Sequence, residues 1–252
     1  MRIWDIHPGY LNRQSLLGEH RELHAIVSIL VNGKKGYSRH PETLRWVGHD
    51  WALKMRHDLL AAEMSLRGFK EKTPVVTGSK GDKEEEKEEK KKKAGWPAKY
   101  IDPPPEQFFL LAEKYKEKEQ GRIPLPKNTQ QLWSQHKYSV MARNIPLYKE
   151  IGREVACTSS ASSEKFSLLA TLLTETLRTA PSVGGIRNAL QHIWGYVSDH
   201  VPHTESKITD WSLHELLQNI QKGVLQSQEP YLLASTALSE LTIWLPVTTC
   251  IA

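Results

Sequence analysis

The sequence predicts an all-α protein of two helical domains, and three observations lead there. Apolar residues recur at helical spacing, as with Leu16, Leu23, Val27 and Leu30. Strand-like alternation of apolar and polar residues is scarce along the whole chain. A block of lysine and glutamate interrupts the helical pattern and separates its first stretch from the rest. At 252 residues with 39% hydrophobic content, 8 Trp and 8 Tyr, the chain can build two packed cores.

Each element has its own signal. Asn12 is placed to cap a helix running to Leu30 or Val31, and Asn32-Gly33 supplies the stop. GYSRHPET, which contains Pro41, reads as a loop. A second helix fits His49 to Arg67, with Gly68 just beyond it. Residues 75–99 form a low-complexity insertion expected to be disordered, because no apolar residue occurs between Ser79 and Lys93. Its KKKK at 90–93 reads either as a nuclear-import signal or as a solvated charge run. PPPE then gives a rigid entry to a helix at Glu106 to Gln120, and GRIPLP is the next break. From Asn128 to Leu245 the pattern is helical again, interrupted at 159–163, 180–185 and 200–206. The expected domains are residues 1–123 and 124–252.

Charge and cysteine content narrow the function. The net charge of +5 is concentrated in residues 1–70, which hold 11 Lys/Arg against 7 Asp/Glu and 6 of the 11 histidines. A basic domain suits phosphate binding, because each neutralised phosphate releases counterions. Two cysteines, Cys157 and Cys250, cannot form a disulfide framework and suit a reducing compartment. The first ten residues lack the basic and apolar regions of a secretory signal, and no run of about 18 apolar residues occurs. The expectation is an intracellular, soluble protein, cytoplasmic or nuclear if eukaryotic, with no membrane partner.

In the first domain, MRI at the start is followed by QSLLGEHREL, NGKK, AAEMSLRGF and KYIDPPPE. On a helix containing Arg21 and Glu22, the face of Glu22 carries Ser15, Gly18 and Ala25, all small, so something can approach the carboxylate. Read by spacing alone, Glu22 is equally an ordinary surface carboxylate beside a surface arginine. The five stretches, colinear from residue 1 over about 120 residues, resemble the pyrimidine-dimer DNA glycosylases of the phage endonuclease V type. The resemblance implies catalysis by the α-amino group of the first residue, here Met1. Such an amine has a reference pKa of about 7.7–8.0 against about 10.4 for lysine, so a useful fraction is neutral at pH 7. It would attack C1′ of the damaged nucleotide, displace the base and form an imine, after which elimination at C2′ breaks the strand.

The same resemblance gives Glu22 the task of stabilising the positive sugar and handling protons. It makes Arg2, Gln14 and Arg21 contacts to DNA, and implies a bent duplex with an extruded nucleotide. Lys34 and Lys35, after a helix end, are placed where phosphates could reach them. The partner implied is damaged double-stranded DNA, with no cofactor. Three departures from the family stand in the sequence. Met1 is followed by Arg2 and should be retained; Ala25 and Ser15 replace an arginine and a histidine; the family's aromatic, basic tail has no counterpart. His49 in VGHDW matches a family Gly-His and reads equally as a structural histidine. The histidines at 7, 20, 24, 40, 49 and 57 lack evident carboxylate or cysteine companions, so no metal site is expected.

In the second domain, LWSQHKYSVMARNIPLYKEIGREVA, GGIRNALQHIWGYVSDH and the stretch from Pro230 to Trp244 resemble a bacterial helical domain of unknown function that also occurs with thiouracil-desulfurase-like domains. Asn188, Gln191, His192 and Gly195 share one side of a helix. Two readings stay open: a polar pocket with His136, Lys137 and Arg143, or helix–helix hydrogen bonds with Gly195 permitting close packing. The expected ligand is a nucleobase, RNA or a protein partner. Two rivals stand beside the repair enzyme. One is a non-catalytic module that binds distorted DNA or RNA, and the other is nucleobase or modified-RNA metabolism led by the second domain.

Overall fold

The computed structural model describes residues 1–76, 95–157, 163–200 and 208–246. The lysine–glutamate block from 77 to 94, including KKKK, lies outside the described residues, as do most of the breaks at 159–163 and 200–206, and Cys250. The chain is all-α, with no strand among the described residues. It divides into two compact units, Met1–Glu119 and Gln120–Ala252.

In the first unit, α1 (Arg13–Asn32) begins where the Asn12 side chain accepts from the Ser15 amide, and ends at Gly33, whose φ of 59° is the left-handed cap. Leu16, Leu23 and Ile26 on α1 are fully buried, so its core stripe runs through Ile26 and not through Val27 and Leu30. The segment expected as a loop contains α2 (Pro41–Arg45), because Pro41 occupies the first turn and the His40 ring accepts from the Glu42 amide. α3 (Asp50–Leu66) packs on α1 and ends before Gly68, at φ +80°. α4 (Pro104–Lys114) starts earlier than expected, since prolines fit a first helical turn, and it stops at Tyr115. The two ends of the segment 75–99, expected to be disordered, are instead packed: Val75 is buried and the Trp96 ring sits against Trp46 and Trp51, because these apolar side chains have a core to join.

A segment without helix or strand, residues 2–6, threads among these helices, and four of its five backbone N–H groups donate to side chains. The Arg2 amide donates to Glu22. The Trp4 amide donates to Glu19 at 3.3 Å, and the Asp5 amide to Gln107 at 2.8 Å, an oxygen that the Ile6 amide also reaches at 3.3 Å. Extended backbone without a neighbouring strand must satisfy its donors in some such way. The buried acids are neutralised in turn. Arg56 makes a two-pronged contact to Glu19 at 2.7 and 3.0 Å and donates to the Ile6 carbonyl at 2.9 Å. Arg45 grips Asp5 with two bonds of 2.9 Å.

The second unit is built around α5 (Thr129–Met141), which packs against α6 (Ile145–Cys157), α7 (Ser163–Leu177) and α8 (Val183–Val197). α9 (Leu213–Ser227), opened by a Ser212/Glu215 capping box, lies on α8. Short helices α10 (Pro230–Leu233) and α11 (Ala237–Glu240) close the unit. A polar seam joins α11 to α5. The Ser139 and Thr236 hydroxyls meet at 2.9 Å, the Thr236 amide donates to the Gln135 carbonyl at 2.9 Å, and Arg143 pairs with buried Glu240. Gly185 lets the start of α8 approach the end of α5, since a Cβ there would stand 2.0 Å from the Ala142 carbonyl oxygen.

Two expectations follow. Arg56→Met should leave Glu19 as a buried, uncompensated acid and lower stability by about 3–5 kcal/mol in urea unfolding; a loss below about 1 kcal/mol contradicts the assignment. Burial holds the His136 ring down to about pKa 4, against about 6.5 unfolded. Between those values the unfolded chain binds the extra proton, so the contribution is complete above about pH 6.5 and is lost as pH falls toward 4. The stability difference between wild type and His136→Gln should therefore shrink by up to about 3 kcal/mol over that window, and a pH-independent difference contradicts it.

Candidate active site

The first-unit site begins from the hydrogen bond between the Arg2 amide and Glu22 Oε2. The Met1 amine is one residue of backbone away from that amide, a span of at most about 3.6 Å. Met1 and Glu22 are both half-buried, held by the fold yet open to solvent. The Arg2 guanidinium is engaged: it pairs with Asp102 at 2.7 Å and lies 3.9 Å over the Trp4 ring.

Beside Glu22, α1 presents an open face. Gln14, Arg21 and Ala25 are exposed, and nothing lies within 4 Å of where a Gly18 Cβ would stand. Gln14 and Ala25 are separated by about 16 Å along the axis. Arg21 Nε donates to the Leu17 carbonyl at 3.2 Å. Lys34 and Lys35 are exposed just past the helix end, with Lys34 Nζ donating to the Ser28 hydroxyl at 2.8 Å. Ser15, expected beside Glu22, is instead buried, because it falls on the edge that packs inward.

The first-unit histidines divide into two sets. The His7 ring accepts from the Gly9 amide at 3.0 Å, His40 caps α2, and His49 Nδ1 donates to the Gly95 carbonyl at 3.0 Å, a structural tie. His20, His24 and His57 instead come together with Glu71, and their four ligand atoms lie within 4.8 Å of one another. The sequence reading found no carboxylate companion for them; the fold supplies Glu71 from the irregular segment after α3, which carries no periodic signal. Burial holds the His20 and His24 rings below the ordinary imidazole range.

In the second unit, a cleft of about 600 Å³ is lined by Arg143, Tyr148, Lys149, Ser182, Asn188 and His192, among others. Asn188, His192 and Arg143 therefore share a cleft. Gln191 and Gly195 are exposed, and Gly195 has no neighbour that a Cβ would meet, so it permits no close packing. His136 is buried and donates Nδ1–H to the Leu132 carbonyl at 2.9 Å. Lys137 lies 4.7 Å over the rings of Tyr138 and Tyr231. The Arg143 guanidinium is also committed to Glu240 and to the Ser139, Leu177 and Thr179 carbonyls, which makes it chiefly a structural link.

No described helix is long and apolar enough to cross a membrane. No curated protein and no solved structure matches the chain. Two family models do match. Residues 137–241 match a family described as protein of unknown function (DUF1722). Residues 1–77, which hold Met1, Glu22 and the open face of α1, match the family described as pyrimidine dimer DNA glycosylase, so the chain carries one segment similar to that glycosylase family and another similar to a family of unknown function.

Proposed function

We propose that the first unit is a DNA glycosylase with abasic-site lyase activity on damaged duplex DNA of the pyrimidine-dimer type, with the Met1 α-amine as nucleophile and Glu22 as its acid–base partner. The observation that supports this reading is the hydrogen bond from the Arg2 amide to Glu22, which holds the residue next to Met1 at the carboxylate. The neutral amine forms an N–C1′ bond as the C1′–base bond breaks, and the departing base takes up a proton. Loss of a proton from nitrogen and opening of the sugar ring give the imine. Glu22 balances the positive charge on sugar and imine, and accepts and returns protons. Removal of a C2′ proton then expels the 3′ phosphate. No cofactor takes part in this sequence.

Exposed Gln14, Arg21, Lys34 and Lys35 lie on or beyond the open face of α1, where a phosphate backbone can run past Glu22. Arg2 orients the start of the chain through Asp102 and Trp4, and reaches DNA only if it leaves that pair. The second unit would serve as an accessory domain for a nucleobase, RNA or a protein partner, with its cleft as the binding place.

Borohydride reduction of the chain with an abasic-site duplex should trap a covalent adduct that maps to the Met1 peptide, and Glu22→Gln should reduce strand scission at least about 100-fold. An adduct on a lysine, or a Glu22→Gln variant that cuts normally, overturns the proposal. For the DNA-contacting lysines, Lys34→Ala combined with Lys35→Ala should lower the slope of log K against log salt by about 2. An unchanged slope removes them from the interface.

A further inference from the structure

His20 and His24 lie one turn apart on α1, so their rings leave the same face, and the two Nε2 atoms stand 3.3 Å apart. His57 comes from α3, and its Nε2 lies 4.0 Å from Glu71 Oε2, which also contacts His20 Nε2. The three rings form a triangle with centroids 4.6, 5.0 and 5.2 Å apart. Three imidazoles and a carboxylate thus turn their lone-pair atoms toward one point. The His57 side chain is only 3% exposed, and its Nε2 has no hydrogen-bond partner. A buried imidazole nitrogen without a partner calls for an explanation.

The surroundings orient these atoms as ligands. His57 Nδ1 faces Asp58 Oδ1 at 3.3 Å. A proton held there fixes the tautomer with its lone pair on Nε2, the carboxylate–histidine arrangement common behind metal-bound imidazoles. Glu71 Oε1 accepts from the Thr73 hydroxyl at 2.8 Å and from the Thr73 amide, which leaves Oε2 aimed at the histidines. Tetrahedral coordination with bonds of about 2.0–2.1 Å requires ligand atoms about 3.4 Å apart. The separations run from the close His20–Glu71 contact through 3.3 and 4.0 Å to as much as 4.8 Å, so His20 and Glu71 must part slightly and the widest pair draw in by about 1.4 Å.

We propose that His20, His24, His57 and Glu71 form a structural, four-coordinate Zn2+ site. Three imidazoles with one carboxylate suit Zn2+ among the common divalent ions, and four protein ligands leave no open position for a reacting water. The ion fastens the segment after α3 to α1 and α3. His20 and His24 each lie two residues from Glu22, about 200° around the helix, so the ion sits away from the amine and its carboxylate. This site does not depend on the proposed glycosylase activity.

The test uses the full chain without an affinity tag that binds metal. After chelation and dialysis it should take up one equivalent of Zn2+, and Zn2+ should raise its unfolding temperature. Co2+ in its place should give the intense visible bands of four-coordinate nitrogen and oxygen ligation, without a thiolate charge-transfer band. His24→Gln and Glu71→Gln, both at half-buried positions that tolerate the change, should weaken Zn2+ binding by more than about 100-fold and abolish the stabilisation while helical content is kept. Uptake well below one equivalent, a thiolate band, or a Co2+ spectrum unchanged in both variants overturns the proposal.

Discussion

The first unit depends on how an extended segment without a strand partner satisfies its backbone. Four amides between Arg2 and Ile6 donate to Glu22, Glu19 and Gln107, side chains drawn from α1 and α4. Chain ends normally fray because nothing binds their polar groups. Here acids are carried inside to receive those groups, and Arg56 and Arg45 make their burial tolerable. Glu19 and Glu22, three residues apart on α1, divide the work. Glu19 is fully enclosed and paired, while Glu22 is half-buried, holds Arg2 and remains open to a ligand.

Local signals in the sequence were read well where local physics decides the outcome. Asn12 and Gly33 bound α1, and Gly68 follows α3, because capping and left-handed backbone are properties of a few neighbouring residues. The Pro41 helix leaves no periodic signal in the sequence, since one turn is too short to show one, and packing buries Ile26 rather than the adjacent apolar Val27. The sequence proposes Glu22 through family resemblance and through the small residues Gly18 and Ala25. The contacts that secure it were not legible there, since Asp5 meets Gln107, and Arg2 meets Asp102, across about a hundred residues of sequence. The histidine cluster was hidden for the same reason: two ligands share a helix, but Glu71 arrives from an irregular segment.

α1 therefore serves two sides. One carries Glu22 and the open stripe of Gln14, Gly18, Arg21 and Ala25; the other carries His20 and His24 into the cluster with His57 and Glu71. The proposed chemistry on one side and the proposed metal site on the other can coexist because successive residues turn about 100°. In the second unit, Arg143 shows the reverse case. A residue that sequence alone offered to a pocket is largely consumed by Glu240 and three carbonyls, so the cleft's remaining polar character rests on Asn188, His192 and Lys149.

Amide hydrogen exchange at Arg2, Trp4, Asp5 and Ile6 tests the central claim most directly, because each of those N–H groups has a named acceptor. Protection approaching that of the α1 core amides is the predicted result. Exchange at the rate of an unstructured peptide, with α1 still protected, would mean that the start of the chain is not held against Glu22, and would contradict the account.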